Sequence, residues 1–481
     1  MSVLWWALLA CGPVQPVDPV TEAVAADRAL LDAALEELPP TQDGGPSVVI
    51  IVLDTLRADH LGAYGDDRGL MPTLDAFASE GRVYSEMQSV APWTLPSHAS
   101  LFTGVWPIHH GAHGAPPDSK AKALGLGKQL PTLAERMQEA GYTTVGVAAN
   151  KAFLDKRWGL SRGFQLWLCT ELTSAGNISY TQGNRISALG GAVAQARGQG
   201  KLLLFLNYME AHSPWVAREG YVQDPSRLHR EYMSKAGSLR GRRYEFGDYS
   251  HGVNAGRYPA SPEALETWEE VYAAELRYLD DQLAALFTEL EAGGHDFEQD
   301  YTIILSDHGE FLGEMDRVEH SKGLYEIGVR VPLIVRGPGI QAGVDPTPIQ
   351  TAQVPDLLLG LLGLPLLNPD SQADALLVSE QYWARSKARK RKGQRKRFDH
   401  LFRSYTLDGH KLLLRDDGPP EAYDLRADPA EEQNLYPSAP WIPELQSQAD
   451  AWLSAQTVGE GTETALDAEA EEALRALGYI E

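Results

Sequence analysis

The sequence predicts an α/β fold with a mostly parallel central sheet and a small antiparallel sheet near the C-terminus. Three observations carry this prediction: four apolar runs that end in polar residues, helical segments between them, and shorter strand-like runs after residue 400. A continuous apolar, β-branched run is what a strand buried on both faces requires. Ser47-Val48-Val49-Ile50-Ile51-Val52-Leu53 is the first and ends at Asp54. Thr143 to Ala149 ends at Asn150, Leu202 to Leu206 runs on to His212, and Tyr301 to Ser306 ends at Asp307-His308. Helices are expected from about Thr132 to Ala140, Ser187 to Arg197 and Pro262 to Leu290. Phe402 to Leu414 and Pro420 to Leu425 read as short antiparallel strands. A helix near Ile442 to Leu453 and a flexible stretch over 455–466 follow them. Open α/β sheets build their sites at the carboxyl ends of buried strands, and four polar endings in one chain favour one shared site.

At 481 residues the chain has room for a large domain and a smaller one, and a hydrophobic content of 43% supports a full core. A formal charge of −24 argues against nucleic acid as the main partner, since phosphate binding needs a basic footprint. Against that background, Ser386 to Arg397 packs eight Lys or Arg residues into twelve positions. This basic loop, 385–397, is either a solvated loop or a contact for an anionic polymer or membrane headgroups.

The apolar run Val3 to Ala10 before Cys11 and Gly12 has the form of a bacterial lipoprotein signal, with Leu8-Leu9-Ala10-Cys11 as lipobox. It is too short to span a bilayer as a helix. Lipid on Cys11 puts the protein at the cell envelope, attached to a membrane; an ordinary cleaved signal makes it secreted. Cys169 then has no partner, and no internal disulfide is expected. The expected organisation is a signal segment over 1–11, a tether with one helix (about Glu22 to Leu38) over 12–45, a catalytic domain over 46–375, and a C-terminal subdomain with the basic loop and a terminal tail over 376–481.

Two carboxylates and an imidazole converging at one sheet edge make a divalent metal site, and Asp54, Asp307 and His308 are the candidates. A single Asp at a strand end also reads as a solvent-facing loop acid. The tripeptide Asp307-His308-Gly309 straight after a buried strand needs partners for its polar groups. In Ala91 to Gly104, Pro96-Ser97 and the small apolar run behind it predict a helix start, with Thr94 just before the N-terminus. Free N–H groups and the positive dipole end there favour a tetrahedral anion. Thr94 is then either an N-cap or a nucleophile whose hydroxyl is made acidic by a metal.

These segments resemble the sulfatase family of the alkaline phosphatase superfamily. Thr94-Leu95-Pro96-Ser97-His98 followed by Ala99-Ser100-Leu101-Phe102-Thr103-Gly104 is similar to its Cys-x-Pro-Ser-Arg signature and the run behind it. Val52-Leu53-Asp54, Ser306-Asp307-His308-Gly309-Glu310, His320-Ser321-Lys322-Gly323-Leu324-Tyr325-Glu326 and Glu421-Ala422-Tyr423-Asp424-Leu425 resemble further family segments, in order. The resemblance implies an alkaline-phosphatase-like sandwich, one divalent metal on Asp54, Asp307 and His308, and hydrolysis of a sulfate or phosphate ester. It makes Thr94 the nucleophile, His212 a group contacting the ester or its leaving group, and Lys322 a cation on the transferred group. His320 becomes a supporting group or a ligand of a second metal, although His320 and Lys322 also read as a loop charge pair. Asn150 falls where the family often has a Lys-x-His pair, and His98 replaces the usual Arg; these two and His320 are candidates for substrate contact.

Thr94 cannot be oxidised to the family's formylglycine aldehyde, so a covalent intermediate on it must be cleaved at the transferred group. That is ordinary for phosphoryl transfer and less natural for sulfuryl transfer. Thr55 stands where many members have a second Asp; fewer carboxylates and one imidazole favour manganese or zinc, with calcium or magnesium as alternatives. Besides an ester hydrolase, the sequence admits a phospho-group transferase, whose relatives carry transmembrane helices, and a binding protein that kept the fold without turnover.

Overall fold

The protein is described by a computed structural model covering residues 19–464 apart from 117–118, 120, 171–172, 176–177, 181–182, 199, 236–237, 240–241, 244–249, 251, 370–374, 383–394, 399 and 417, together with 466–468, 471 and 474. The Cys11 signal and nearly all of the basic loop lie outside the described residues. Among the described residues, no helix is long and apolar enough to cross a membrane.

In chain order the strands of the main sheet are β1 (Val48–Leu53), β2 (Arg82–Tyr84), β3 (Thr143–Ala148), β4 (Leu166–Cys169), β5 (Leu202–Tyr208), β6 (Tyr301–Leu305), β7 (Leu333–Arg336) and β8 (Gly343–Asp345). Their spatial order is β8-β2-β7-β6-β1-β5-β3-β4. β6, β1, β5, β3 and β4 form a parallel block. Every residue of β1, β3, β5 and β6 is buried, as continuous apolar runs demand. β7 runs antiparallel to both β6 and β2. β2, β7 and β8 are too short to carry a readable pattern. Register aligns the polar endings: Val52 lies opposite both Leu305 and Asn207, and Ala148 opposite Asn207. Asp54, Asn150 and Asp307 therefore leave the sheet at one carboxyl edge.

The helices that matter here are α1 (Pro19–Glu36), α2 (Thr94–Thr103), α3 (Leu133–Glu139), α4 (Gly183–Arg197), α5 (Pro262–Ala292) and α6 (Ile442–Ala455). Local chemistry starts α3 and α5 where expected, while α4 begins at Gly183, four residues before the expected Ser187. Thr132 and Glu135 form a capping box on α3, while Ser261 caps α5 ahead of a first-turn proline. α1 does not behave as a tether. Its Leu31 and Leu35 are buried and its Asp27 pairs with Arg185 of α4, so this part of the arm is docked on the domain.

The small sheet is β9 (Leu377–Gln381), β10 (Phe402–Leu407), β11 (His410–Arg415) and β12 (Glu421–Asp424), antiparallel in that order. The run over Phe402 to Leu414, expected to form short antiparallel strands, turns at Asp408-Gly409, both with positive φ (51° and 75°), as a two-residue hairpin requires. Val378, Tyr405, Leu412 and Ala422 pack on Val90, Ala91, Trp106 and Ile108, joining this sheet to the segments around α2. The stretch expected to be flexible is fastened instead. Gly459 N donates to Ile108 O at 2.8 Å and Thr462–Glu463 pairs with Leu124–Gly125. Glycine is required there, since a Cβ on Gly459 would lie 1.6 Å from His109 O.

Candidate active site

Asp54 follows β1, Asp307 and His308 follow β6, and their side chains meet. One ligand atom from each lies within 4.8 Å of the others, and all three residues are buried. His308 donates Nδ1–H to Gly309 O at 3.0 Å, so its neutral ring turns an Nε2 lone pair toward Asp54 Oδ1 (3.6 Å) and Asp307 Oδ2 (3.4 Å). Gly309 is needed for that turn, because a Cβ would sit 1.9 Å from Ile327 O. Asp307 Oδ1 accepts from Thr55 N and its own neighbour's N–H, on His308. Asp54 Oδ1 and Asp307 Oδ2 are left without a hydrogen-bond donor among the described residues. Burial pushes the Asp307 carboxyl up to about 8. Burial, and then the nearby Asp307, lift Asp54 well above the carboxylate range. Two buried carboxyl oxygens without donors, facing an imidazole lone pair, fit a divalent cation.

Thr94 is the first residue of α2, one position further in than expected. Trp93 occupies the cap with no side-chain hydrogen bond, so Thr94 is not an N-cap. Its hydroxyl is engaged with the metal set: Asn150 Nδ2 donates to Thr94 Oγ1 at 3.3 Å and to Asp54 Oδ2 at 3.0 Å, and His308 Nε2 lies 3.5 Å from Thr94 Oγ1. Asn150 thus bridges candidate nucleophile and candidate ligand; it was expected to touch substrate. Its own main chain is fixed by Asn207, whose Oδ1 accepts Asn150 N at 3.1 Å.

His98 takes a different place from the substrate-facing one anticipated for it. Its Nδ1 donates to Thr94 O at 3.0 Å and lies 3.4 Å from Asp307 Oδ2, while the ring packs edge-on to Phe102 and Phe205. It is fully buried, and burial drops its imidazole to about 3. An apolar wall on one side and the helix on the other hold it neutral beneath the site.

His212 and His320 stand beside one another with ring centroids 4.8 Å apart, and His320 is 4.7 Å from His308. His212 Nδ1 donates to Ser213 O. Its neutral ring therefore offers an acceptor at Nε2, and burial lowers its pKa to about 3, so service as a leaving-group acid needs an added charge that burial opposes. His320 Nδ1 is 3.2 Å from Glu310 Oε1, whose partner oxygen accepts Ser213 N at 3.3 Å. Glu310 was missed as a site residue, yet it is fully buried and ties the His212 and His320 segments together. Burial lifts its carboxyl to about 7. An acid only two residues beyond the strand-end Asp-His was the available signal. Lys322 Nζ donates to His320 O at 2.8 Å and is 3.6 Å from Glu319.

A mostly parallel sheet, a small antiparallel sheet beside it, and a hydroxyl among Asp, Asp and His at the carboxyl edge are the arrangement expected of a hydrolase of the alkaline phosphatase superfamily. Residues 46–364 match the Sulfatase family, and the chain belongs to the sulfatase family. Curated relatives include the ulvan-active sulfatase of Formosa agariphila, 24% identical over 87% of this chain and 82% of that one. The choline-sulfatase of Rhizobium meliloti is 24% identical over 67% of this chain and 69% of its own. Among solved structures, the phosphonate monoester hydrolase from Silicibacter pomeroyi shares the fold with a TM-score of 0.64 at 19% identity, covering 85% of this chain and 94% of that one.

Proposed function

We propose that this sulfatase-family hydrolase cleaves phosphate esters or phosphonates in preference to sulfate esters, with Thr94 as nucleophile. The observation that carries the reading is the Thr94 hydroxyl, held by Asn150 against the Asp54, Asp307 and His308 set. A divalent cation on those three side chains, manganese or zinc by the mixed carboxylate and imidazole donors, would acidify the hydroxyl and offset charge on the ester.

The residues then divide the work. Thr94 Oγ1, its proton released to solvent, attacks phosphorus in line; the Thr94 ester forms as the bond to the leaving group breaks, and the departing alkoxide takes a proton from water. The Asn150 N–H stabilises the deprotonated hydroxyl, and Lys322 offsets charge on the transferred group. His212, packed on His320, contacts the ester. Water then attacks phosphorus, releases the product acid and restores Thr94. This second attack is why phosphorus suits a threonine better than sulfur. The phosphonate-cleaving structural relative supports the choice, and the curated sulfatases keep sulfate esters as the rival.

The test is turnover of an aryl sulfate, aryl phosphate monoester, aryl phosphate diester and aryl phosphonate by the purified protein with manganese, zinc or calcium. Thr94→Ala should lower the preferred rate by about 10⁴- to 10⁶-fold, the loss expected for a nucleophile. Fastest turnover of the sulfate removes the phosphorus preference; a Thr94→Ala rate equal to the parent's removes Thr94. Bound metal without turnover of any ester makes the chain a binder, and product found on an added alcohol makes it a transferase.

A further inference from the structure

The peptide groups on either side of Lys322 are both bonded to one side chain of the other sheet. Gln381, the last residue of β9, is fully buried. Its Oε1 accepts Gly323 N at 3.0 Å, and its Nε2 donates to Ser321 O at 3.3 Å. Nε2 also donates to Phe398 O at 3.1 Å. With both N–H groups and the carbonyl in use, the amide has one orientation.

The loop it grips is one that does not hold its shape unaided. Glu319 and Ser321 have φ of 69° and 59°, a region that residues other than glycine keep only where the surroundings impose it. Arg317 Nε donates to Lys322 O at 2.8 Å, and Ser321 N donates to Pro92 O at 3.1 Å, two residues before Thr94. The main chain at Lys322 is therefore held at the carbonyl before it, its own carbonyl and the N–H after it.

We propose that Gln381 is a positioning residue, which sets the Lys322 ammonium against the ester by bonding the peptides on both sides of that lysine. The C-terminal sheet then takes part in turnover rather than only covering the core. This rests on the role given to Lys322 above.

A double-mutant cycle separates that role from plain support of the fold. Gln381→Met keeps the volume and removes all three hydrogen bonds. Its kcat on the ester turned over fastest should fall about 10- to 100-fold, more than KM rises, as small misplacements of a reacting group do. In a Lys322→Ala background the same change should alter kcat less than about twofold, because nothing is left to position. Equal losses in both backgrounds, or an unchanged kcat in folded Gln381→Met, overturn the proposal. An unchanged kcat in Lys322→Ala alone overturns the Lys322 assignment itself, which the single variant reveals. If Gln381→Met does not fold, Gln381→Glu, which keeps the acceptor for Gly323 N and loses both donated bonds, carries the same cycle. Failure of both to fold makes Gln381 structural and ends the proposal.

Discussion

Asp54 leaves one of the two central strands of an eight-stranded sheet, with β5 and β6 hydrogen-bonded on either side. Lys322 leaves a loop in which Glu319 and Ser321 both carry positive φ, and its bracing comes from Arg317 and from Gln381 in another sheet. The first half of the site inherits its geometry from a ladder of main-chain bonds that no single substitution removes. The second half depends on a few side chains, each of which can be deleted. Metal binding and handling of the transferred group should therefore fail separately.

The largest break in that comparison comes from Asp307. Asp307→Asn keeps the shape and removes one of the two donor-free carboxylates, so bound metal should be lost and turnover should fall more than about a hundredfold. Elemental analysis beside an ester assay checks it; a variant that stays loaded and active means the strand-end half is not the metal pole.

Lys411 sharpens the other side. It is fully buried on β11 and pairs with Glu326 at 2.8 Å and Glu431 at 3.0 Å, four residues past Lys322 and in the C-terminal part respectively. Lys411→Met strands both carboxylates and should cost about 3–5 kcal/mol by urea unfolding. Turnover should drop while bound metal stays stoichiometric. Metal lost in step with turnover would show that the two halves are held as one.

The smallest effect lies in the ionic support beneath Asp54. His60, in the turn after β1, bonds Glu269 of α5 at 3.0 Å. Burial raises the Glu269 carboxyl, but His60 and then Arg68 outweigh it and hold it at about 2. A depressed carboxylate stabilises the fold above its unfolded value near 4.5 and loses that contribution as pH falls toward 2. Metal-free parent protein should lose stability over that window slightly more steeply than Glu269→Gln. The margin is small because Glu269 is partly exposed and screened. Parallel acid profiles remove this support from the strand-end half.

What the sequence made legible follows the same division. The strand-end residues Asp54, Asn150, Asp307 and His308 could be placed together because a buried apolar run announces a parallel strand, and parallel strands end at one edge. Thr94 was legible because a proline near a helix start marks the dipole end. The bracing was not legible. Gln381 closes a five-residue strand that carries no recognisable pattern, and its partners lie across a sheet-to-loop contact set only by tertiary packing. Glu310 was quoted in a motif but given no role, since its value depends on where His320 and Ser213 come to rest. His98 was misplaced because position in a motif says nothing of which side of the helix faces Phe205.

β1 is made before β5 and β6, which begin only at Leu202 and Tyr301. At ribosomal speed the last of these follows after roughly 10–50 s. Until Leu202 follows, both edges of this apolar strand are open, and one edge stays open until Tyr301 is made, ready to pair with whatever it meets. The arrangement that makes Asp54 immovable in the finished protein leaves its strand exposed in the newborn chain until its partners are made.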